Sequence, residues 1–123
     1  MDILLLFFLL QVKHFYADFV IQTYMQTVKK GVYFDPVGMS HSLDHCWSTL
    51  LALFVFSSFF PINPMLILLI SVAEAFIHYH IDWTKVKFGS KDMTKPAFWS
   101  EFGLDQLAHQ ITYIAMVYVL LLY

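Results

Sequence analysis

Residues 74–85 read EAFIHYHIDWTK and directly follow INPMLILLISVA, the almost purely apolar run of residues 62–73. Ionisable groups therefore appear where a membrane helix would be continuing. Side chains four residues apart lie on one face of a helix, so Glu74, His78 and Asp82 form one polar stripe. Lys85 lies a further turn on, and His80 points roughly the opposite way. A carboxylate, an imidazole and a second carboxylate on one helical face predict half of a metal site.

The composition is typical of an integral membrane protein with a single domain over residues 1–123. Hydrophobic residues make up 59% of the chain and charged residues 13%, whereas about a quarter of a soluble protein is charged. All seven basic residues are lysine and the net charge is −2, which argues against nucleic-acid partners and an arginine clamp for phosphate. Cys46 is the only cysteine, which excludes an intrachain disulfide and a cysteine-based zinc site.

Four apolar segments, each near the roughly 20 residues that cross a bilayer, predict an all-α, four-helix transmembrane bundle running up-down-up-down. Polar residues recur within them at spacings of three and four, and no β-type alternation is present. The first segment follows the acidic residue Asp2 and lacks a small-residue cleavage site, so it is predicted to be a retained helix and not a signal peptide. The predicted helices cover approximately residues 3–27, 41–60, 64–86 and 99–122.

Lysine placement predicts the orientation. Lys29 and Lys30 lie in the first loop, and the third loop or its edge carries Lys85, Lys87, Lys91 and Lys95. By the positive-inside rule, both loops face the cytoplasm and both termini face the periplasmic or extracellular side. Lys13, which lies within the first helix, is the exception.

This orientation places polar residues of all four helices at overlapping depth in the cytoplasmic half. Five of the six histidines have a His, Asp or Glu four residues away, whereas random placement would give about 1.4 such histidines. The spacing therefore indicates a built site. Its ten candidate ligands are His14, Asp18, His41, Asp44, His45, Glu74, His78, Asp82, Asp105 and His109.

Helical pairs at this spacing let two side chains converge on one ion. Imidazole and carboxylate ligands without thiolate favour a divalent metal, Zn²⁺ first, with Mn²⁺ or Fe²⁺ as alternatives. Ten candidate ligands are more than one tetrahedral ion can bind. Two metals, or one metal with supporting residues and a general base, would account for them. Charged groups near the bilayer centre cost about 2.5–3.5 kcal/mol each, and metal binding would offset that cost.

Eight residues are predicted as metal ligands: His14, Asp18, His41, His45, His78, Asp82, Asp105 and His109. Glu74 or His45 would act as general base, and Lys85 would bind a substrate anion. Other interpretations are simpler for some of these residues. His80 fits a packing role, Asp44 fits a first-turn charge at a helix N-terminus, and the whole set would also suit a structural polar network.

The motifs resemble an uncharacterised family of small bacterial and phage membrane proteins, known only as a domain of unknown function. Its first-helix pattern is His-x-x-x-Asp-Phe-x-x-Gln with a following lysine, matched by His14, Asp18, Phe19, Gln22 and Lys29. A histidine that opens the second helix is matched by His41 or His45. The patterns His-x-x-Ile-Asp-x-x-Lys and Asp-Gln-x-x-His are matched by His78, Ile81, Asp82, Lys85, Asp105, Gln106 and His109. The resemblance implies a multi-pass protein of the bacterial cytoplasmic (inner) membrane and no established activity.

The leading functional hypothesis is a metal-dependent membrane hydrolase that uses metal-activated water on a phosphoester or a lipid headgroup. The pattern is similar in style to inner-membrane proteins described as metal-dependent hydrolases, which is an analogy only. Alternatives are a pathway for protons or divalent cations, a di-iron or haem redox protein, and a non-catalytic phage or host membrane protein. The expected partners are the lipid bilayer and a lipid or phosphorylated small-molecule substrate.

Overall fold

The computed structural model describes residues 1–123 as five α-helices without a β-strand, which confirms the predicted all-α class. A π-helical turn, Tyr16–Val20, directly continues the first helix. The α-helices are α1 Ile3–Phe15, α2 Tyr24–Lys29, α3 Pro36–Ser57, α4 Pro64–Phe88 and α5 Pro96–Leu122.

The three long helices α3, α4 and α5 each begin at a proline. Proline suits this position because its φ is already helical and its missing N–H would have no intrahelical partner. Asp35 and Asn63 cap the two helices that follow them by accepting backbone N–H bonds. These signals start α3 at Pro36 and α5 at Pro96, several residues before the predicted starts at 41 and 99.

The segment predicted as one helix over residues 3–27 is broken in the structure. The π-helical turn ends it, and α2 starts afresh after the extended residue Thr23. Thr23 Oγ1 accepts the Gln26 N–H, and Gln26 Oε1 accepts the Thr23 N–H. This reciprocal capping box satisfies two backbone donors and so favours a new helix over continuation of the old one.

Helix α3 packs against α1, α2 and α4, and α5 packs against α4 and α1. An apolar core fills one end of the molecule, and the buried charged and histidine side chains fill the other. The buried polar residues lie near the ends of α1 and α4 and near the starts of α3 and α5. Successive long helices therefore run in alternating directions. The core residues are Leu6, Leu10, Leu53, Phe56, Ile67, Ile70, Tyr113, Met116, Val117 and Leu120.

Most of the outer surface is apolar. Leu4, Trp47 and Phe76 are each at least 66% exposed, and many other large apolar side chains also face outward. Two segments, Ile3–Val20 and Pro64–Phe88, are long and apolar enough to cross a membrane. Length and composition therefore identify two of the four predicted spans.

A close approach at Gly38 holds α2 against the start of α3. A Cβ added there would lie 2.7 Å from the Lys29 carbonyl oxygen and 2.9 Å from the Lys30 Cα. Both are backbone atoms, which cannot rotate away as a flexible side chain would. We expect Gly38→Ala to lower the free energy of unfolding by about 1–3 kcal/mol, the usual range for overpacking.

Thermal unfolding of the detergent-solubilised protein, followed by circular dichroism, would measure this effect. Gly103→Ala is the matched control because a Cβ at this helical position meets no atom within 4 Å. The control should be neutral or slightly stabilising, since alanine is the better helix former. Equal melting temperatures for the two variants would refute the close approach.

Candidate metal centre

The buried polar groups converge where α1 and α4 end and where α3 and α5 begin. Five of the six histidines lie there almost completely buried: His14, His41, His45, His78 and His109. Four carboxylates lie within 4 Å of their ring nitrogens: Asp18, Glu74, Asp82 and Asp105. The tertiary structure thus assembles all eight residues predicted as ligands into one cluster.

His41, His78 and Asp82 form the most regular part of the cluster. The two Nε2 atoms are 3.2 Å apart, and Asp82 Oδ2 lies 3.4 Å from His41 Nε2 and 3.2 Å from His78 Nε2. Atoms bound about 2.0–2.1 Å from a tetrahedral zinc ion lie about 3.3 Å from one another. The three atoms therefore match one face of a tetrahedral metal site.

Asp18 supplies a fourth ligand atom, a second carboxylate oxygen, beside this face. Its Oδ1 lies 3.1 Å from His41 Nε2 and 3.8 Å from His78 Nε2. The residue sits in the π-helical turn, a wider geometry that is rare and frequently found at functional sites. Two imidazole nitrogens and two carboxylate oxygens are a donor set that fits a first-row dication.

His45 approaches the cluster from behind Asp18. Lys13 Nζ lies 3.2 Å from His45 Nδ1, and a lysine ammonium can only donate hydrogen bonds. His45 Nδ1 therefore accepts, and its protonated Nε2 donates to Asp18 Oδ1 at 2.7 Å. In this arrangement His45 orients Asp18, as residues around metal ligands commonly do.

Glu74, predicted as a general base, is committed to other partners. Its Oε1 accepts from Lys13 Nζ at 2.7 Å, and its Oε2 accepts from Thr49 Oγ1 at 3.1 Å. Lys13 and Glu74 form a salt bridge that is at most 4% exposed. This Lys13–Glu74 pair lies next to His45. Because His45 donates to Asp18 Oδ1, the pair fixes the position of Asp18 indirectly.

His14 supports Asp18 from the other side. Its Nε2 lies 3.2 Å from Asp18 Oδ2 and equally far from Gln106 Oε1. Its Nδ1 lies 2.7 Å from the Tyr113 hydroxyl. Both ring nitrogens of His14 therefore have partners within the protein.

Asp82 faces two groups of ligands. Its Oδ2 belongs to the His41–His78 face and also accepts from Lys30 Nζ at 2.8 Å. Its Oδ1 lies 3.4 Å from His109 Nε2, and ligand atoms of His78, Asp82 and His109 fall within 4.8 Å of one another. Lys30 therefore supplies one positive charge to this carboxylate.

The remaining predicted residues lie outside the centre. Asp44 accepts from the Gln26 amide at 2.8 Å, and His80 is bonded to the Phe76 carbonyl of its own helix. Lys85 Nζ lies 3.8 Å from Asp105 Oδ2 and 4.6 Å from the centre of the Phe102 ring. Lys85 is therefore at the edge of the cluster, where an anion from outside could reach it.

Sequence reasoning missed the roles of Lys13 and Lys30, which it treated as a topological exception and an orientation signal. A lysine within a long apolar segment requires a buried counter-charge, and that requirement was the available signal for Lys13. Its partner Glu74 lies 61 residues away along the chain, so the sequence could not identify it. Nothing local distinguishes Lys30 from Lys29, which instead lies 3.7 Å from Asp35.

Comparisons with known proteins place the chain in a family. Residues 5–123 match the sequence profile of a family described as "Protein of unknown function (DUF3307)". Comparisons with curated proteins and with solved structures give no match. The chemistry of this chain must therefore be inferred from its own residues.

Proposed function

The chain belongs to the DUF3307 family of unknown function, and from its buried centre we propose that it is a metal-dependent hydrolase embedded in a membrane. The triangle formed by His41, His78 and Asp82, with Asp18 beside it, carries the proposal. The Nε2–Nε2 separation of 3.2 Å is also that of a hydrogen bond, so the support comes from the two carboxylates that lie within 4 Å of both nitrogens. A metal site accounts for all four groups together, because its ligands must all point at one ion.

Zn²⁺ fits these nitrogen and oxygen donors best, with Mn²⁺ and Fe²⁺ as alternatives. A dication in this centre would supply an activated water molecule for hydrolysis where it keeps one coordination position free of protein ligands. The protein contributes orientation: His45 and His14 hold the two oxygens of Asp18, and Lys30 holds Asp82.

The membrane location is supported by the apolar exterior and the two membrane-length helices. Large exposed apolar surfaces mark contacts with lipid or with other proteins. We propose four spans, formed by α1 with the π-helical turn and by α3, α4 and α5. The lysine-bearing loops would face the cytoplasm of a bacterial inner membrane, and the termini would face the opposite side.

The substrate side of the centre is a cleft between α4 and α5. Its volume is about 610 Å³, and its wall includes Ile77, Phe88 and Leu104 as well as the charged groups of Lys85 and Asp105. The wall also includes Glu101, and Lys85 is the one cationic lysine there that would pair with the anionic headgroup of an amphiphile, while the apolar residues would contact its chain. We propose a phosphoester or lipid headgroup as the substrate class.

Transport of protons or divalent cations is the second candidate, and the core argues against it. Beyond the polar end, the interior is mostly apolar; Ser71 donates to the Ile67 carbonyl of its own helix, and the Tyr113 hydroxyl bonds back to His14. A cation pathway across the molecule would require polar groups through this layer. A site that opens at one end fits a bound ion better than a conducted one.

Metal content is the first test. We expect detergent-purified wild-type protein to retain at least about one equivalent of a first-row dication, because its ligands are preorganised and buried. His78→Ala should lose it, since this removes one corner of the triangle. His80→Ala is the matched control, two positions along the same helix with its ring outside the cluster.

Wild-type protein with fewer than about 0.2 equivalents after purification and metal loading would eliminate the metal centre. For protein that binds metal, the substrate class is tested next: release of headgroups from phospholipid vesicles would indicate a lipid substrate, and release of phosphate from a soluble phosphoester would indicate a small-molecule substrate. Metal-dependent cation flux into proteoliposomes without turnover would favour transport instead.

A further inference from the structure

Three buried polar atoms of the cluster's histidines and carboxylates have no hydrogen-bond partner, and two of them lie near one another: Asp105 Oδ1 and His109 Nε2. Their side chains are 4% and 2% exposed, and the two atoms lie 3.7 Å apart. Such groups destabilise the protein when unsatisfied, because burial removes their hydration without a replacement partner. The separation is beyond the usual hydrogen-bond range of about 2.7–3.2 Å, so the two groups do not satisfy one another.

Asp82 completes the surroundings of this pair. Its Oδ1 lies 3.4 Å from His109 Nε2, again too far for a good hydrogen bond. Its Oδ2 already belongs to the His41–His78 triangle. One carboxylate therefore directs one oxygen toward each of two ligand groups.

We propose that His109 Nε2, Asp105 Oδ1 and Asp82 Oδ1 bind a second divalent ion, with the Asp82 carboxylate bridging the two ions. The inference rests on the proposed metal centre, because the bridge requires an ion at His41 and His78. Distances of 3.4 and 3.7 Å are those of ligands around an ion and not those of direct bonds. Paired ions about 3.5–4 Å apart are common in sites that hydrolyse phosphoesters.

The local charges support a second cation. Lys30 Nζ contacts Asp82 Oδ2, whereas Lys85 Nζ lies 3.8 Å from Asp105 Oδ2. Each lysine thus sits at one carboxylate oxygen, and neither is paired with the oxygen that faces His109. No lysine reaches the inner side of this second group, so its positive charge comes either from a protonated His109 or from a bound dication.

The second site has three protein ligands, and a site of this kind keeps a position open for water or substrate. Asp105 also forms part of the wall of the α4–α5 cleft. The open position would therefore lie beside the cleft, with Lys85 next to it. This arrangement assigns the His41–His78 ion to the interior and the second ion to the substrate side.

The test is the number and coupling of bound Mn²⁺ ions in the full chain in detergent. We expect about two equivalents in the wild type and an exchange-coupled signal in electron paramagnetic resonance. Asp105→Asn keeps the shape of the side chain and removes its charge, and it should reduce binding to about one uncoupled ion. Asp44→Asn is the matched control and should keep both ions, since Asp44 lies outside the centre.

Wild-type protein that binds one ion without coupling would overturn the second site and leave the proposed metal centre standing. Protein that binds none would overturn both. Two coupled ions retained by Asp105→Asn would also refute the assignment. If that variant does not fold, His109→Gln and the wild-type coupling measurement decide the question.

Discussion

Asp82→Asn is expected to reduce metal binding by more than about 100-fold. The substitution leaves the side chain nearly unchanged in shape and removes the negative charge that faces His41 and His78. Lys30 Nζ lies 2.8 Å from Asp82 Oδ2, and the substitution would remove the carboxylate charge with which it pairs. An ammonium group without its counter-charge would then lie beside the metal position and repel the ion, so the loss should exceed that caused by removal of a peripheral ligand.

Isothermal titration with Zn²⁺ or Mn²⁺ in detergent would measure the change, with metal content by mass spectrometry as a second readout. Asp44→Asn is the appropriate control because it makes the same chemical change at the same end of the molecule. It should alter affinity by less than about two-fold. Undiminished binding in Asp82→Asn would contradict the central position assigned to this carboxylate.

Lys13→Met is expected to lower the free energy of unfolding by about 3–5 kcal/mol, the usual effect of removing one partner of a buried ion pair. The large effect follows from the environment of Glu74, which is 1% exposed and would keep its charge with only Thr49 as a donor. His45 would lose the Lys13 ammonium that fixes its ring, so Asp18 would also be held less firmly.

The double variant Lys13→Met with Glu74→Gln should recover most of this loss. Glutamine still accepts from Thr49, and no uncompensated charge remains, so a neutral pair can be nearly as stable as the buried ion pair. Denaturant unfolding of the four proteins in a double-mutant cycle would give the coupling energy of Lys13 and Glu74. Lys95→Met is the control for loss of a lysine, because that side chain is 68% exposed, and it should leave stability unchanged.

The two experiments distinguish residues of the polar end that bind metal from residues that stabilise the fold. Asp82 faces the ligands directly, and its replacement by asparagine should impair binding while the fold persists. Lys13 and Glu74 lie behind His45, and breaking their pair should impair the fold first. A result in which both variants lose stability equally and neither changes metal affinity would favour a purely structural polar network.

Sequence alone predicted the helical class, and the tertiary structure brings close together the eight residues that the sequence predicted as ligands. The i, i+4 pairs carried this information, because helical geometry turns such a spacing into a shared face whatever the rest of the fold does. It predicted less well where a helix stops. The break after Val20 depends on the Thr23–Gln26 capping box, a local signal that the apolar character of the segment concealed.

Roles within the cluster could not be predicted in the same way. Glu74 and His78 share one helical face, yet the first is paired with Lys13 and the second faces His41. Spacing along a helix does not specify which neighbouring helix a side chain meets. That choice depends on the relative positions of α1, α3 and α4.

The stretch at residues 74–85 by itself determined a helix with Glu74, His78 and Asp82 on one face and His80 on another, since a rise and a rotation per residue suffice to derive it. Only the tertiary structure decided that these three residues do different things. Glu74 meets a lysine, His78 meets a second imidazole, and Asp82 lies between two ligand groups. The reason is physical: a helix sets the direction of each side chain, but packing sets what lies in that direction.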